Sequence, residues 1–299
     1  MNRRLKRVAV AAAILATLIG LRLALEPREG PRPHFRVDGA ERTRVSEQVT
    51  AGLLDPSALD QRLGDAKVLL IGEEHFTNEI VAYTLGLLEK LSAHGRPVVL
   101  LLELPQHTQP TIDRFMNDGR EDDLRGIWRD GDALPYQRLV QWARQSRPTV
   151  RRVVAMDENR RRVVVMRALL TDTRNESMST AILKARREEP DALVVAYGGQ
   201  FHMLRSGRYL YDVANRESVG SRLRRAGIPP AELRVILVSG ADRFPIAETW
   251  TRPGAIAAES PLGDLPYEAF FRTHVFGAAK ARELFDYFVN VGPLTASAP

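Results

Sequence analysis

Two short polar clusters in this chain each follow an apolar run. Gly72-Glu73-Glu74-His75 follows residues 67–71, and Gly198-Gly199-Gln200-Phe201-His202 follows residues 192–197. Along an extended chain, residues two apart point the same way, so Glu73 and His75 share a face and Glu74 turns to the other. A carboxylate beside an imidazole orients the ring and raises its basicity, which is what a general base needs. Glu103 closes a third apolar run at 98–102, and a carboxylate there needs water, an ionic partner or a metal. Glu73, His75, Glu103 and His202 are therefore the candidate catalytic groups.

Five further residues are candidate substrate contacts. Gly72 and Gly199 allow a ligand to approach the backbone closely. Arg174 can grip a carboxylate or carbonyl through two parallel hydrogen bonds, or pair with a site glutamate. Asn175 beside it can touch substrate or cap the helix that starts there. Asp157, at the end of the run 153–156, can orient His202 or an arginine, or cap a loop. His75, Glu103 and His202 also supply the ligand types of a divalent metal site with an open position for water. No HExxH helix or other self-sufficient metal motif accompanies them.

The elements that must position these groups follow from the alternation of patterns. Continuous apolar runs at 68–71, 98–102, 153–156, 192–197 and 234–238 read as strands buried on both faces. Helical spacings separate them: 45–63, from Thr77 or Asn78 to 93, from Pro110 to Gly119, around 139–142, from 173 to 189, and 218–226. A basic helical piece is expected at 160–162. Residues 241–266, rich in Pro, Gly and Ala, read as a loop over the sheet edge. The aromatic stretch 270–291 reads as a helix and a closing strand that pack into the core, with an aromatic platform for haem as the alternative. Alternating strands and helices predict an α/β fold with a mainly parallel sheet and helices on both faces. Ligands in such folds sit outside the carboxyl ends of the strands, where all the polar clusters fall.

Composition bounds the rest. The chain has 299 residues and a formal net charge of +6, but Arg3, Arg4, Lys6 and Arg7 supply four of those charges at the start. No basic stripe with interleaved aromatics is present, so nucleic acid is not an expected partner. Cysteine is absent, which excludes disulfides and thiolate-ligated metals. The basic start and the apolar stretch 8–25 predict an uncleaved signal anchor over 1–25, a transmembrane helix in a bacterial-type cytoplasmic membrane. Residues 26–44 read as a linker and 45–299 as the extracytoplasmic domain.

Gly72-Glu73-Glu74-His75, Glu103-Leu104-Pro105, Arg174-Asn175 with Met178, and Gly199-Gln200-Phe201-His202 occur in an order that resembles one superfamily. It joins ChaN-like haem-binding uptake proteins, Tiki/TraB-type peptidases and erythromycin esterases. The resemblance implies a ChaN/erythromycin-esterase-like fold, and either hydrolysis or haem binding. One residue separates Glu73 from His75, where the esterase pattern has two. A second histidine soon after His75, found in some haem-binding relatives, is missing. The expected function is hydrolysis of a peptide or ester bond in a small-molecule or peptide substrate, with a divalent metal as an option. Haem or iron binding, or a non-catalytic interaction domain of the same fold, are the alternatives.

Overall fold

The computed structural model describes residues 38–296, except 76, 94, 126, 128–133, 159–172, 210–216, 242, 251, 273–274 and 277–278, together with residues 9–10, 12–17, 20 and 35. The expected helical piece at 160–162 and most of the expected anchor lie outside the described residues. Among the described residues no helix is long and apolar enough to cross a membrane.

Among the described residues ten strands form: β1 Leu53–Leu54, β2 Val68–Glu73, β3 Val98–Pro105, β4 Val150–Asp157, β5 Leu193–Gly199, β6 Arg208–Tyr209, β7 Leu233–Ser239, β8 Gly254–Ala257, β9 Val275–Phe276 and β10 Tyr287–Asn290. Eight build one sheet in the order β1-β8-β10-β7-β2-β5-β3-β4, and β6 pairs with β9. From β10 to β4 every neighbour pair is parallel, while β8 runs antiparallel to β10 and to β1. The sheet is therefore mixed, parallel through its centre and antiparallel at one side. All six residues of β2 are buried.

Period-two alternation divides β2 between two cores. Leu69 and Ile71 face Ile80, Leu87 and Leu88 of the helix Asn78–Ala93 and Leu139 and Val140 of the helix Leu134–Gln145. Val68 and Leu70 face Met178, Ile182 and Ala185 of the helix Thr173–Glu188 and Leu223 of the helix Val219–Arg225. Helices therefore cover both sides, as continuous apolar strands require.

Three expectations change. The single helix over 45–63 is two helices, Gly39–Gly52 and Pro56–Arg62, separated by β1. Pro56 has no amide hydrogen to continue a preceding helix but is suited to begin a new one. The first of these helices takes in residues 39–44, which composition placed in the linker, and buries Val45 and Val49. Residues 241–266 are not simply a loop, because they contribute β8 to the sheet.

The stretch 270–291 forms short 3-10 turns and β10 rather than an α-helix. Its rings are core: Phe270, Phe271, Phe285 and Phe288 are all buried. Phe288 sits at the centre, with ring centroids 5.0 Å from Phe244 and Phe270 and 5.5 Å from Phe285. Among the described residues no open aromatic platform for a tetrapyrrole exists there. Phe288→Ala is expected to cost about 3–5 kcal/mol of unfolding free energy by denaturant titration. A loss below about 1 kcal/mol would contradict this packing.

Candidate active site

Parallel pairing sends the carboxyl ends of β2, β5, β3 and β4 to one rim. Glu73 ends β2 directly opposite Gly199 of β5, and Asp157 ends β4 opposite Pro105 of β3. Glu103 lies two residues before the end of β3. The polar groups converge because four adjacent strands terminate together.

Glu73 continues the face of Leu69 and Ile71, so its carboxylate enters the core beside Tyr197. Its side chain is wholly inaccessible. Tyr136 donates to Oε1 over 3.0 Å and Tyr197 to Oε2 over 2.6 Å. His75 Nδ1 lies 2.8 Å from Oε1. A carboxylate accepts, so the imidazole carries its proton on Nδ1 and leaves Nε2 as the basic nitrogen. Burial and then the Glu73 charge push both tyrosine pKa values well up, which keeps the two hydroxyls protonated as donors. Burial opposes a charge on His75, but the hydrogen bond and charge of Glu73, with Glu103 behind them, outweigh it against Arg174. The His75 pKa is consequently raised above 6.5.

Glu103 is the hub of the other half. Arg174 Nη2 donates to its Oε1, and the Gly199 amide donates to Oε2 over 2.6 Å. Arg174 also grips both oxygens of Asp157, through Nε and Nη2, each at 3.0 Å. Burial opposes the Glu103 charge, but His202, Arg174, His75 and the Gly199 amide more than offset it, and its pKa falls below 4.5. Burial likewise opposes the Arg174 charge, yet Glu103 and Asp157 raise its pKa above the ordinary value.

His202, in the short helix Gln200–Met203, stands on the Oε1 side of Glu103, with Nε2 3.7 Å away. Its Nδ1 lies 2.5 Å from Asn175 Oδ1, while Asn175 Nδ2 donates to the Glu217 carbonyl over 3.0 Å. That second bond fixes the amide, so Nδ1 of His202 is the donor and Nε2 faces the carboxylate. His75 stands on the Oε2 side. A Cβ built on Gly199 would lie 2.8 Å from His75 Nε2 and 3.5 Å from Glu103 Oε2. The missing side chain therefore lets the His75 imidazole pack close over the strand backbone, and two imidazoles flank one buried carboxylate.

The structure reassigns several residues read from sequence as substrate contacts. Arg174 and Asp157 are committed to each other and to Glu103. Asn175 is buried inside the first turn of a helix that starts at Thr173, so it holds His202 rather than capping or facing ligand. Gly72 serves packing: a Cβ there would meet Leu237 Cδ2 at 2.6 Å and Gln200 Cα at 2.8 Å. Gly199 spends its amide on Glu103. Glu74 does turn to the other side, where Ser239 donates to it and Arg243 lies 3.7 Å away.

Among the described residues no group of three His, Asp or Glu side chains is arranged to hold a metal ion. The metal set of His75, Glu103 and His202 fails for a physical reason. The guanidinium of Arg174 already occupies the cation position on Glu103. Tyr136 had no signal in the sequence, being an ordinary tyrosine in an amphipathic helix. Tyr197 is a buried core ring whose hydroxyl reaches Glu73.

The acid–arginine cluster predicts a pH-dependent stability. The folded pKa of Glu103 lies below its unfolded value, so its pairing stabilises the fold above about pH 4.5 and is lost as pH falls through the folded value. Arg174→Ala strands two buried carboxylates and is expected to cost about 3–5 kcal/mol near neutrality. Denaturation across pH should show that deficit shrinking in acid; a deficit independent of pH would refute the pairing.

Comparison with known proteins supports the architecture. Residues 59–167 match the family described as "Haem-binding uptake, Tiki superfamily, ChaN". No curated protein matches the sequence significantly. A mutant erythromycin esterase in its open conformation superposes with TM-score 0.60 at 11% identity, over 81% of this chain and 94% of that one. A succinoglycan biosynthesis protein gives TM-score 0.64 at 9% identity, over 87% and 99%. A Bacillus cereus protein gives 0.54 at 12%, over 86% and 98%. At these identities the likeness establishes the fold. Glu73, His75, Glu103 and Asp157 all lie inside the segment that matches the ChaN-containing Tiki superfamily, and the chain as a whole has an erythromycin-esterase-like α/β fold.

Proposed function

We propose that this chain is a hydrolase of amide or ester bonds, with His75 as general base and without a metal. The observation that carries it is the Glu73–His75 hydrogen bond of 2.8 Å, which orients the imidazole with Nε2 over the Gly199 backbone, on the side of Glu103. Nε2 takes a proton from water as the water oxygen attacks the carbonyl carbon. The C–N or C–O bond then breaks, and the leaving amine or alkoxide takes a proton from Nε2 of a charged His202. Glu103 sits between the two imidazoles and favours the charged form of each in turn. Arg174 holds that carboxylate ionised and fixed.

An erythromycin esterase with the same fold adds support for the chemistry, though not for the substrate. We further propose that the domain acts outside the cytoplasm, on the strength of the basic start and the apolar stretch 8–25.

The test is turnover of a p-nitrophenyl ester panel and fluorescein-labelled casein by the full chain. His75→Ala is expected to lower the rate by about 10²–10⁴-fold with the fold intact. Because a base must be unprotonated, activity should rise with pH through an apparent pKa above 6.5, the direction set by Glu73. Glu73→Gln removes that charge and should move the limb to lower pH. A wild-type chain that cleaves none of these probes, yet gives a Soret band with haem that His75→Ala abolishes, would replace hydrolysis with haem binding.

A further inference from the structure

One edge of the main sheet is β4, and a groove of about 720 Å³ runs along it. Its floor is residues 152–155. Its walls are Gln109 and Asp113 of the helix Gln109–Asp118, and Ser177, Thr180, Ala181 and Lys184 of the helix Thr173–Glu188. Small side chains on that second wall leave the room. An edge strand carries outward amides and carbonyls ready for another strand, and proteins commonly shield them. Among the described residues Gln106 Nε2 donates to Ser177 Oγ over 2.8 Å and joins the two walls at the rim end. Gln109 covers two of the edge groups: its Nε2 donates to the Val153 carbonyl over 2.9 Å, and its Oε1 accepts from the Ala155 amide over 2.6 Å.

Those two partners fix a polarity. In a parallel pair, one residue donates to a carbonyl and accepts from an amide two positions further along its neighbour. In an antiparallel pair both bonds go to the same residue. A carboxamide has the donor and acceptor of a peptide unit, and it sits here as the residue of a parallel strand would, opposite Val154. We infer that this groove docks an extended polypeptide as a further parallel strand on β4, displacing the Gln109 carboxamide. The carboxyl end of the docked strand then points to the rim that bears His75.

The docked strand would lie four strand spacings from β2, about 19 Å at ~4.8 Å each. At ~3.3 Å per extended residue, the chain reaches His75 about six residues beyond the docked segment. The substrate class of the proposed hydrolase is accordingly an unfolded or extended polypeptide, recognised on the amino-terminal side of its scissile bond. Docking rests on the groove alone; only the reach to His75 rests on the hydrolase reading.

The probe is fluorescein-labelled casein, an unstructured polypeptide, with binding followed by anisotropy on the full chain. Gln109→Ala bares the edge and should tighten binding at least about threefold, in line with removing a competing hydrogen-bonded group. Thr180→Trp fills the groove from an exposed wall position and should weaken it at least about tenfold, while turnover of small p-nitrophenyl esters is unchanged. An eight-residue polyvaline-based peptide with benzoylphenylalanine at its carboxyl end should crosslink near Gln106 and Ser177. Casein binding unaffected by Thr180→Trp, weakened by Gln109→Ala, or absent from both wild type and Gln109→Ala would overturn the docking. Crosslinking near Lys184 would overturn the polarity. If His75→Ala still binds casein and the wild type cleaves nothing, the groove stands and the hydrolase reading falls.

Discussion

A carboxylate removed from water must find compensating partners, and among the described residues of this rim Arg174 serves two such groups. Glu73, Glu103 and Asp157 lie at the tips of neighbouring parallel strands, where backbone pairing has ended and side chains must satisfy them. Arg174 resolves two of the three at once, with both prongs on Asp157 and one on Glu103. A lysine could not do this, because a point charge lacks the planar fork that spans two carboxylates. The remaining negative charge favours protons on the imidazoles beside Glu103. The acid–base character of the site is thus a consequence of how the sheet's end is neutralised.

Register makes that neutralisation possible. Because Glu73 pairs with Gly199, the imidazole two residues past Glu73 comes down over a residue with no side chain. Gly198 beside it has the same use for the other acid, since a Cβ there would lie 2.7 Å from Glu103 Oε2. The two halves of the site also arrive from opposite faces of the sheet. Glu73 and its tyrosines belong to the core under the helix Leu134–Gln145, and Arg174 and Asn175 come from the helix on the other face. His75 and Gly199 sit on the line between them, at the sheet's top edge.

What could be read beforehand was whatever depends on local pattern. Unbroken apolar runs marked β2, β3, β4, β5 and β7, and polar residues at the ends of the first four marked the rim. What could not be read was who partners whom across the chain. Tyr136 reaches Glu73 from 63 positions away through a helix whose register no short-range rule supplies. Asn175 looked like a cap because caps favour asparagine, but the helix opens two residues earlier and turns that side chain inward. β8 was hidden because Gly254–Ala257 is short and lies among glycines and alanines, and only pairing with β10 and β1 makes it a strand. The same blindness made His75, Glu103 and His202 look like metal ligands. Sequence shows which groups can bind a cation, not that an arginine has already taken the place.

The two glutamates closest to the imidazoles have different environments, and this divides their work. Glu73 is sealed from solvent with one oxygen shared by Tyr136 and His75 and the other held by Tyr197. A carboxylate so enclosed has no lone pair aimed at solvent and no path for a substrate atom, so it positions His75 rather than reacting. Glu103 is held more asymmetrically, by a guanidinium and an imidazole on Oε1 and a backbone amide on Oε2, with His75 Nε2 nearby. Its charge acts on both imidazoles together, so a proton gained at one side weakens the hold on a proton at the other.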